Sequence, residues 1–328
     1  MILAEAVALT VLVVLVLYTL TGGADFGGGI WDLLATGPRR VEQRRLIEQA
    51  IAPVWEANHV WLIVAIVLIF TAFPLAFSVA STALHIPLII LLIGIVMRGT
   101  AFTFRQYDLN RESRGKWSRL FAGSSVLVPL FLGICLGSLS TETIRVANTA
   151  SISGFFSPWI GWFQLSVGFF TLSLFAYIAA VYLTVEAKES AIRADFVRRS
   201  YLSAISLVFT GFVTALLARS QAPHLFERLT QSWGPWFQVS GALCLFTCAW
   251  SLLRERFRFA RVFAAGVAIS ILAGWGYAQY PYSIIPDIPL NLGTAPEATL
   301  RLLLILLAGG SAFLFPALFW LFKIFKKY

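Results

Sequence analysis

Nine apolar runs divide this chain, and its cations gather in alternate gaps between them. The runs cover residues 2–24, 54–73, 79–97, 120–139, 160–183, 201–218, 236–253, 262–280 and 302–322. Each is close to the ~20 residues a helix needs to cross ~30 Å of hydrocarbon. They are continuously apolar rather than alternating in and out, which points to helices and excludes barrel strands. If successive helices reverse direction, one side receives twenty-one of the 25 Lys and Arg residues, and the other receives only Arg145, Arg219, Arg228 and Arg301. The positive-inside rule then places the N-terminus outside and the C-terminus, with Lys323, Lys326 and Lys327, in the cytoplasm.

The expected fold is an all-α integral membrane protein, about nine transmembrane helices packed as bundles in a single polytopic domain, residues 1–328. With 59% hydrophobic and 12% charged residues, a chain of this length cannot hide its apolar surface in one soluble core, so the lipid bilayer must solvate most side chains. The net charge of +9 is spread over loops bordering the spans, which favours an anionic inner leaflet as partner over nucleic acid. The first residues contain Glu5 and no Lys or Arg, so the first run reads as a permanent helix rather than a signal peptide. Cys135, Cys244 and Cys248 lie inside spans without a CxxC and read as small packing residues. The longest gap, 25–53, is too short to form its own core. Within it, residues 39–50 read as an amphipathic helix on the cytoplasmic surface. The stretch 281–301, with Pro281, Pro286, Pro289 and Pro296, reads as an irregular outer cap.

Ionisable groups within the spans are the candidates for chemistry, because burying a charge at mid-bilayer costs about 2.5 to 3.5 kcal/mol. Asp25 closes the first run inside a glycine-rich stretch, where the glycines permit a close helix approach or a break. Read plainly, it is a helix end reaching cytoplasmic water. Around the start of the second run lie Pro53, Trp55, Glu56, Asn58, His59 and Trp61. Glu56 and His59 are three apart and share a helix face, so they can pass a proton or bind one another. Alternatively, Pro53 opens a helix and Glu56 merely complements its positive end, which leaves Asn58 and His59 unexplained. Arg98 and Arg105, seven apart, either snorkel to lipid phosphate or pair with a buried carboxylate such as Asp25 or Glu56. A bis-histidine heme needs two imidazoles at one depth, yet His59 lies ~8 Å from the cytoplasmic side and His85 ~10 Å from the outer side, about 12 Å apart in depth. His224 falls in an outer loop.

Three motifs, 23–27 (Gly-Ala-Asp-Phe-Gly), 52–62 (Ala-Pro-Val-Trp-Glu-Ala-Asn-His-Val-Trp-Leu) and 98–105 (Arg-Gly-Thr-Ala-Phe-Thr-Phe-Arg), together resemble subunit II of cytochrome bd-type quinol oxidases in order and spacing. The resemblance implies a partner, subunit I, that holds the quinol site, two b-type hemes and one d-type heme. It also implies a complex of the bacterial cytoplasmic membrane that oxidises quinol, reduces dioxygen to water and draws its protons from the cytoplasm. This chain would then be a heme-free scaffold that helps build the proton route. Glu56 matches the family's acidic position after tryptophan and is the first candidate for that route. Asp25 is second and His59 weaker, while Trp55, Asn58 and Arg98 match positions that shape or hydrogen-bond the region. Many relatives have further acidic residues at the positions of Gly22 and Thr103, both missing here. The rival class is a secondary transporter, which usually needs interrupted helices in corresponding positions of two repeats.

Overall fold

The computed structural model describes residues 2–51, 55–108, 111–147 and 150–325. Pro53, Lys326 and Lys327 lie outside them. Twelve helices occur among the described residues: α1 (Ile2–Leu33), α2 (Arg40–Ile51), α3 (Trp55–Ala72), α4 (Pro74–Ala83), α5 (His85–Tyr107), α6 (Arg111–Leu139), α7 (Trp162–Glu186), α8 (Ser190–Gln221), α9 (Pro223–Thr230), α10 (Gly234–Leu253), α11 (Phe257–Gln279) and α12 (Glu297–Phe325). Nine are long and apolar enough to span a bilayer. Two small antiparallel hairpins, β1 (Val146–Ala147) with β2 (Ala150–Ser151) and β3 (Tyr282–Ile284) with β4 (Ile288–Pro289), lie in the connections. The stretch expected to be an irregular cap thus holds the second hairpin and the start of α12.

Helix α7 is the hub, packed against α1, α6, α8 and α11. Small residues on it, including Ala176, Ala179 and Ala180, are nearly inaccessible and let neighbouring backbones approach. Around this hub, α3 packs on α1, α5 on α6 and α10 on α11. Helix α12 rests on α1, and the most apolar stretch of its span holds no buried residue. Leu9, Phe70, Leu92, Phe209, Phe246 and Phe319 are each more than half exposed. In water such a surface would aggregate, whereas hydrocarbon solvates it without cost.

Helix boundaries depart from the expected runs at several places, three of them informative. First, α1 does not end near Asp25 but runs about two turns further, to Leu33, so Asp25 is not a helix end in water. The glycines serve close approach: a Cβ on Gly27 would strike the carbonyl of Phe175 on α7, and one on Gly29 would strike the Ser125 side chain on α6. Second, the run 79–97 is split. Helix α4 ends at Ala83 and α5 starts at His85, because Pro87 cannot donate to the carbonyl of Ala83 and its ring crowds that turn. His85 therefore heads a helix rather than lying within one. Third, α8 begins at Ser190, eleven residues before its apolar run, since the Ala and Arg residues there are good helix formers and extend the span into the polar zone. The expected amphipathic helix is α2, which buries Gln43, Ile47 and Ile51 along one face, the two isoleucines lying against Gly28.

Candidate functional site: a buried ion-pair ladder

Asp25 and Asp32 stand two turns apart on one face of α1, and Arg98 and Arg105 repeat that spacing on α5. The arginine side chains reach across from α5 to α1, Arg98 to Asp25 and Arg105 to Asp32. On the first rung, Arg98 Nη2 donates to Asp25 Oδ1 at 2.7 Å and to the Asp25 carbonyl at 3.2 Å. Its Nε donates to Ser125 Oγ at 3.1 Å, and Ser125 in turn donates to the carbonyl of Phe121 at 2.7 Å. The guanidinium also lies over the Phe26 and Phe121 rings, at 4.6 and 4.8 Å. Arg98 is 0% and Asp25 4% exposed, so this pair is cut off from solvent screening.

On the second rung, Arg105 Nη1 donates to Asp32 Oδ2 and its Nη2 to Glu48 Oε2 of α2, both at 3.2 Å. Arg44 of α2 adds hydrogen bonds of 3.2 and 3.1 Å to the Asp32 carbonyl. Burial with partial charge competition gives Arg44 a pKa below the usual arginine value. Asp32, Glu48, Arg44 and Ser125 were not singled out from the sequence. The available signal was the shared seven-residue spacing of the two aspartates and the two arginines.

Of the sequence candidates, Asp25, Arg98 and Asn58 come together. Asn58 is 3% exposed and lines, with Asp25, Thr21, Tyr182, Glu186 and Arg261, a cavity of about 200 Å³. The cavity's far side is formed by Glu186 at the end of α7 and Arg261 at the start of α11, 3.5 Å apart and each about one-third exposed. Asp25 Oδ2 is buried without a hydrogen-bond partner in the chain. His59 is enclosed by the rings of Phe26 at 5.8 Å and of Tyr18 and Trp55 at 6.5 Å, and its Nδ1 is likewise unpartnered. Trp55 stacks obliquely on Phe102 at 5.7 Å and closes against Gly99. Glu56 is apart from this group: it is the second residue of α3, exposed, and no hydrogen bond or ion pair joins it to His59 among the described residues.

The positions lacking the relatives' carboxylates are filled differently. A Cβ on Gly22 would meet the Tyr18 ring at 2.8 Å, so the phenol occupies that space, with its hydroxyl buried and unpartnered. Thr103 is exposed and donates to the carbonyl of Gly99 at 3.1 Å. Among the described residues no cluster of three His, Cys, Asp or Glu side chains is placed to hold a metal. His85 bonds the Thr82 carbonyl at 2.8 Å, and His224, on α9 rather than in a loop, packs on Tyr282 at 5.3 Å.

Residues 3–325 match the family described as cytochrome bd terminal oxidase subunit II. The chain is 26% identical to the "Putative cytochrome bd menaquinol oxidase subunit II" of Bacillus subtilis over 95% of this chain and 92% of that one. It is 27% identical to the "Probable cytochrome oxidase subunit 2" of Haemophilus influenzae over 90% and 86%. Its fold superposes on a chain of the bd oxidase from Geobacillus thermodenitrificans with a TM-score of 0.84, covering 99% of both at 21% identity. This chain belongs to the cytochrome bd terminal oxidase subunit II family and is a multi-pass membrane subunit of a respiratory quinol oxidase complex.

Proposed function

We propose that this chain is the heme-free subunit II of a quinol:oxygen oxidoreductase in the bacterial cytoplasmic membrane, a single polytopic domain with its N-terminus outside and its C-terminus in the cytoplasm. In this reading it docks beside subunit I and passes cytoplasmic protons toward the site where dioxygen becomes water. The b- and d-type hemes, expected on subunit I, supply the electron transfer when bound. Two quinols give up four electrons and four protons, and dioxygen takes up four electrons and four other protons to form two waters. This chain's contribution lies in delivering the second set.

The observation that carries the reading is Asp25 Oδ2, a buried acceptor left free beside a cavity also lined by Glu186 and Arg261, each about one-third exposed, on α7 and α11. A cavity of this size has room for several waters, with Asp25, Asn58 and Thr21 as polar partners in a largely apolar lining. A proton arriving along them forms an O–H bond at Oδ2, while Arg98 stays bound to Oδ1 and keeps the carboxyl group oriented. Asn58 lines the same space and can order water there. His59 and Tyr18, each with a buried polar atom lacking a partner, are the next groups available beyond Asp25. Three rings packed around the His59 imidazole favour a proton or hydrogen-bonding role over heme ligation. Glu56, exposed at the start of α3, is placed to meet the membrane surface or subunit I, so burial ranks Asp25 ahead of it. The transporter alternative has less support, because α1 continues unbroken through its glycines.

The test is quinol-driven oxygen consumption by the assembled complex carrying Asp25→Asn, Asp25→Glu or Glu56→Gln. Asp25→Asn should slow turnover at least tenfold with heme content intact, Asp25→Glu should retain part of it, and Glu56→Gln should slow it less. Unchanged turnover in Asp25→Asn removes Asp25 from the route, and unchanged turnover in Glu56→Gln removes Glu56.

A further inference from the structure

A second polar cleft lies away from the ladder, between the α1–α2 connection and the first turns of α8. Its volume is about 410 Å³, and Trp31, Arg39, Gln43, Asp195, Arg198 and Arg199 line it. Arg199 is only 9% exposed. Its Nη2 donates to Gln43 Oε1 at 2.7 Å, and the guanidinium lies 5.3 Å from the Trp31 ring and 5.0 Å from the Phe196 ring, which fixes its plane. Its Nη1 is buried with no hydrogen-bond partner in the chain. Such a nitrogen calls for an acceptor, and a guanidinium fork matches phosphate oxygens geometrically. The one carboxylate in the cleft, Asp195, is already bound by Arg39 at 2.8 and 2.5 Å and by Gln43 at 2.8 Å. Three cations against one anion leave the cleft with two unneutralised positive charges.

We propose that this cleft binds a phosphate group, and that the group is the headgroup phosphodiester of an anionic lipid in the adjoining leaflet. The surroundings decide for a lipid over free phosphate. Leu34 and Leu202, 50% and 53% exposed, form the cleft's rim. From Leu202 an apolar lane continues along one face of α8 through Ile205, Phe209 and Phe212, each more than 60% exposed. An acyl chain leaving the cleft would lie along that lane. The arrangement is a basic pocket between membrane helices at the cation-rich end of the spans, where anionic headgroups gather. Arg199 would bind the phosphate directly, with Arg39 and Arg198 adding charge from the exposed rim.

The test is native mass spectrometry of the delipidated oxidase complex titrated separately with dioleoyl phosphatidylglycerol, dioleoyl phosphatidylcholine and inorganic phosphate. Wild type should show a phosphatidylglycerol-binding step that Arg199→Gln weakens about tenfold and Arg198→Gln, a change at an exposed side chain, about fivefold. Phosphatidylcholine binding should be unchanged by either substitution. If inorganic phosphate binds with the same dependence on Arg199 and displaces the lipid, the phosphate site stands and its source is the solution. If phosphatidylglycerol and inorganic phosphate bind both variants as they bind wild type, the proposal is overturned.

Discussion

The first rung of the ladder makes a quantitative prediction. Asp25 and Arg98 are both nearly inaccessible and 2.7 Å apart, so each is the other's main compensation for leaving water. Replacing either alone strands a buried charge, a loss of about 3 to 5 kcal/mol. Arg98→Met also removes the donor to Ser125 and the cation over two aromatic rings, which places it at the upper end of that range. If the two sites were independent, the double variant Asp25→Leu with Arg98→Met would lose about 6 to 10 kcal/mol. Because they form one pair, replacing both with apolar groups of similar size should cost only about 0 to 2 kcal/mol, or even stabilise. The coupling is therefore on the order of 5 kcal/mol, far above the ~0.5 kcal/mol scatter of additive sites. Reversible unfolding of the wild type, both singles and the double in mixed micelles would measure it. Oxygen consumption by the same four complexes should stay low in the double, separating the stability role from the proton role. An additive double variant would refute the pairing, whatever the singles show.

On the second rung, Asp32→Asn should cost about 3 kcal/mol because its side chain is fully buried between two arginines. Glu48→Gln, whose side chain is 26% exposed, should cost under about 1 kcal/mol, and the ratio is read from the same unfolding curves. Gly27→Ala should destabilise by about 1 to 3 kcal/mol or block assembly, since the new methyl strikes the α7 backbone. Gly309→Ala on α12, with nothing within 4 Å, should be within about 1 kcal/mol of wild type in the same assay. Single cysteines at exposed Thr36 and Ile152, in a background lacking the native thiols, should label from opposite sides of the membrane with an impermeant maleimide, Thr36 from the cytoplasm.

The nine spans were legible because hydrocarbon thickness imposes a length and composition that one sequence reveals without help from tertiary contacts. Their ends were not, since hydropathy stops where charge begins while the helix does not. Arg193 and Arg198 are helical in α8 although they precede its apolar run. The same bias placed Asp25 at a helix end: a carboxylate beside five glycines looks like a terminus until Phe175 and Ser125 fill the grooves those glycines leave. Asp25 and Arg98 were both recognised as candidates, but their partnership was one of two options, because choosing between Asp25 and Glu56 requires the rotation of α3. That rotation is set by packing of Trp61, Ala65 and Leu68 against α1, which turns Asn58 inward and Glu56 outward. Asp32 was overlooked because it sits past the apolar run, where an acidic residue reads as ordinary polar surface.

The ladder accounts in physical terms for three of the cations at this end of the spans, Arg44, Arg98 and Arg105. Fixed charge inside a membrane protein is tolerated where it faces the bundle interior and is paired, and near an end of the spans a flanking helix can supply the partners. Here α2 supplies Glu48 and Arg44 to the second rung, and the first rung lies one step further in, at the limit of that reach. Toward the opposite end, a larger recess of about 610 Å³ opens between the spans, lined almost wholly by apolar side chains of α1, α3, α4, α6 and α11, with Glu5 and Tyr280 hydrogen-bonded at its edge. In the proposed proton route water would reach Asp25 from the cation-rich end, whereas the apolar lining of the larger recess offers water few partners. Under that proposal the asymmetry would let protons enter from one end without opening a leak to the other. It predicts that a polar substitution in the apolar cavity, such as Leu62→Asn, should raise passive proton leak in vesicles containing the complex while leaving Asp25-dependent turnover in place. A complex whose leak is unchanged by that substitution would show that the barrier lies elsewhere.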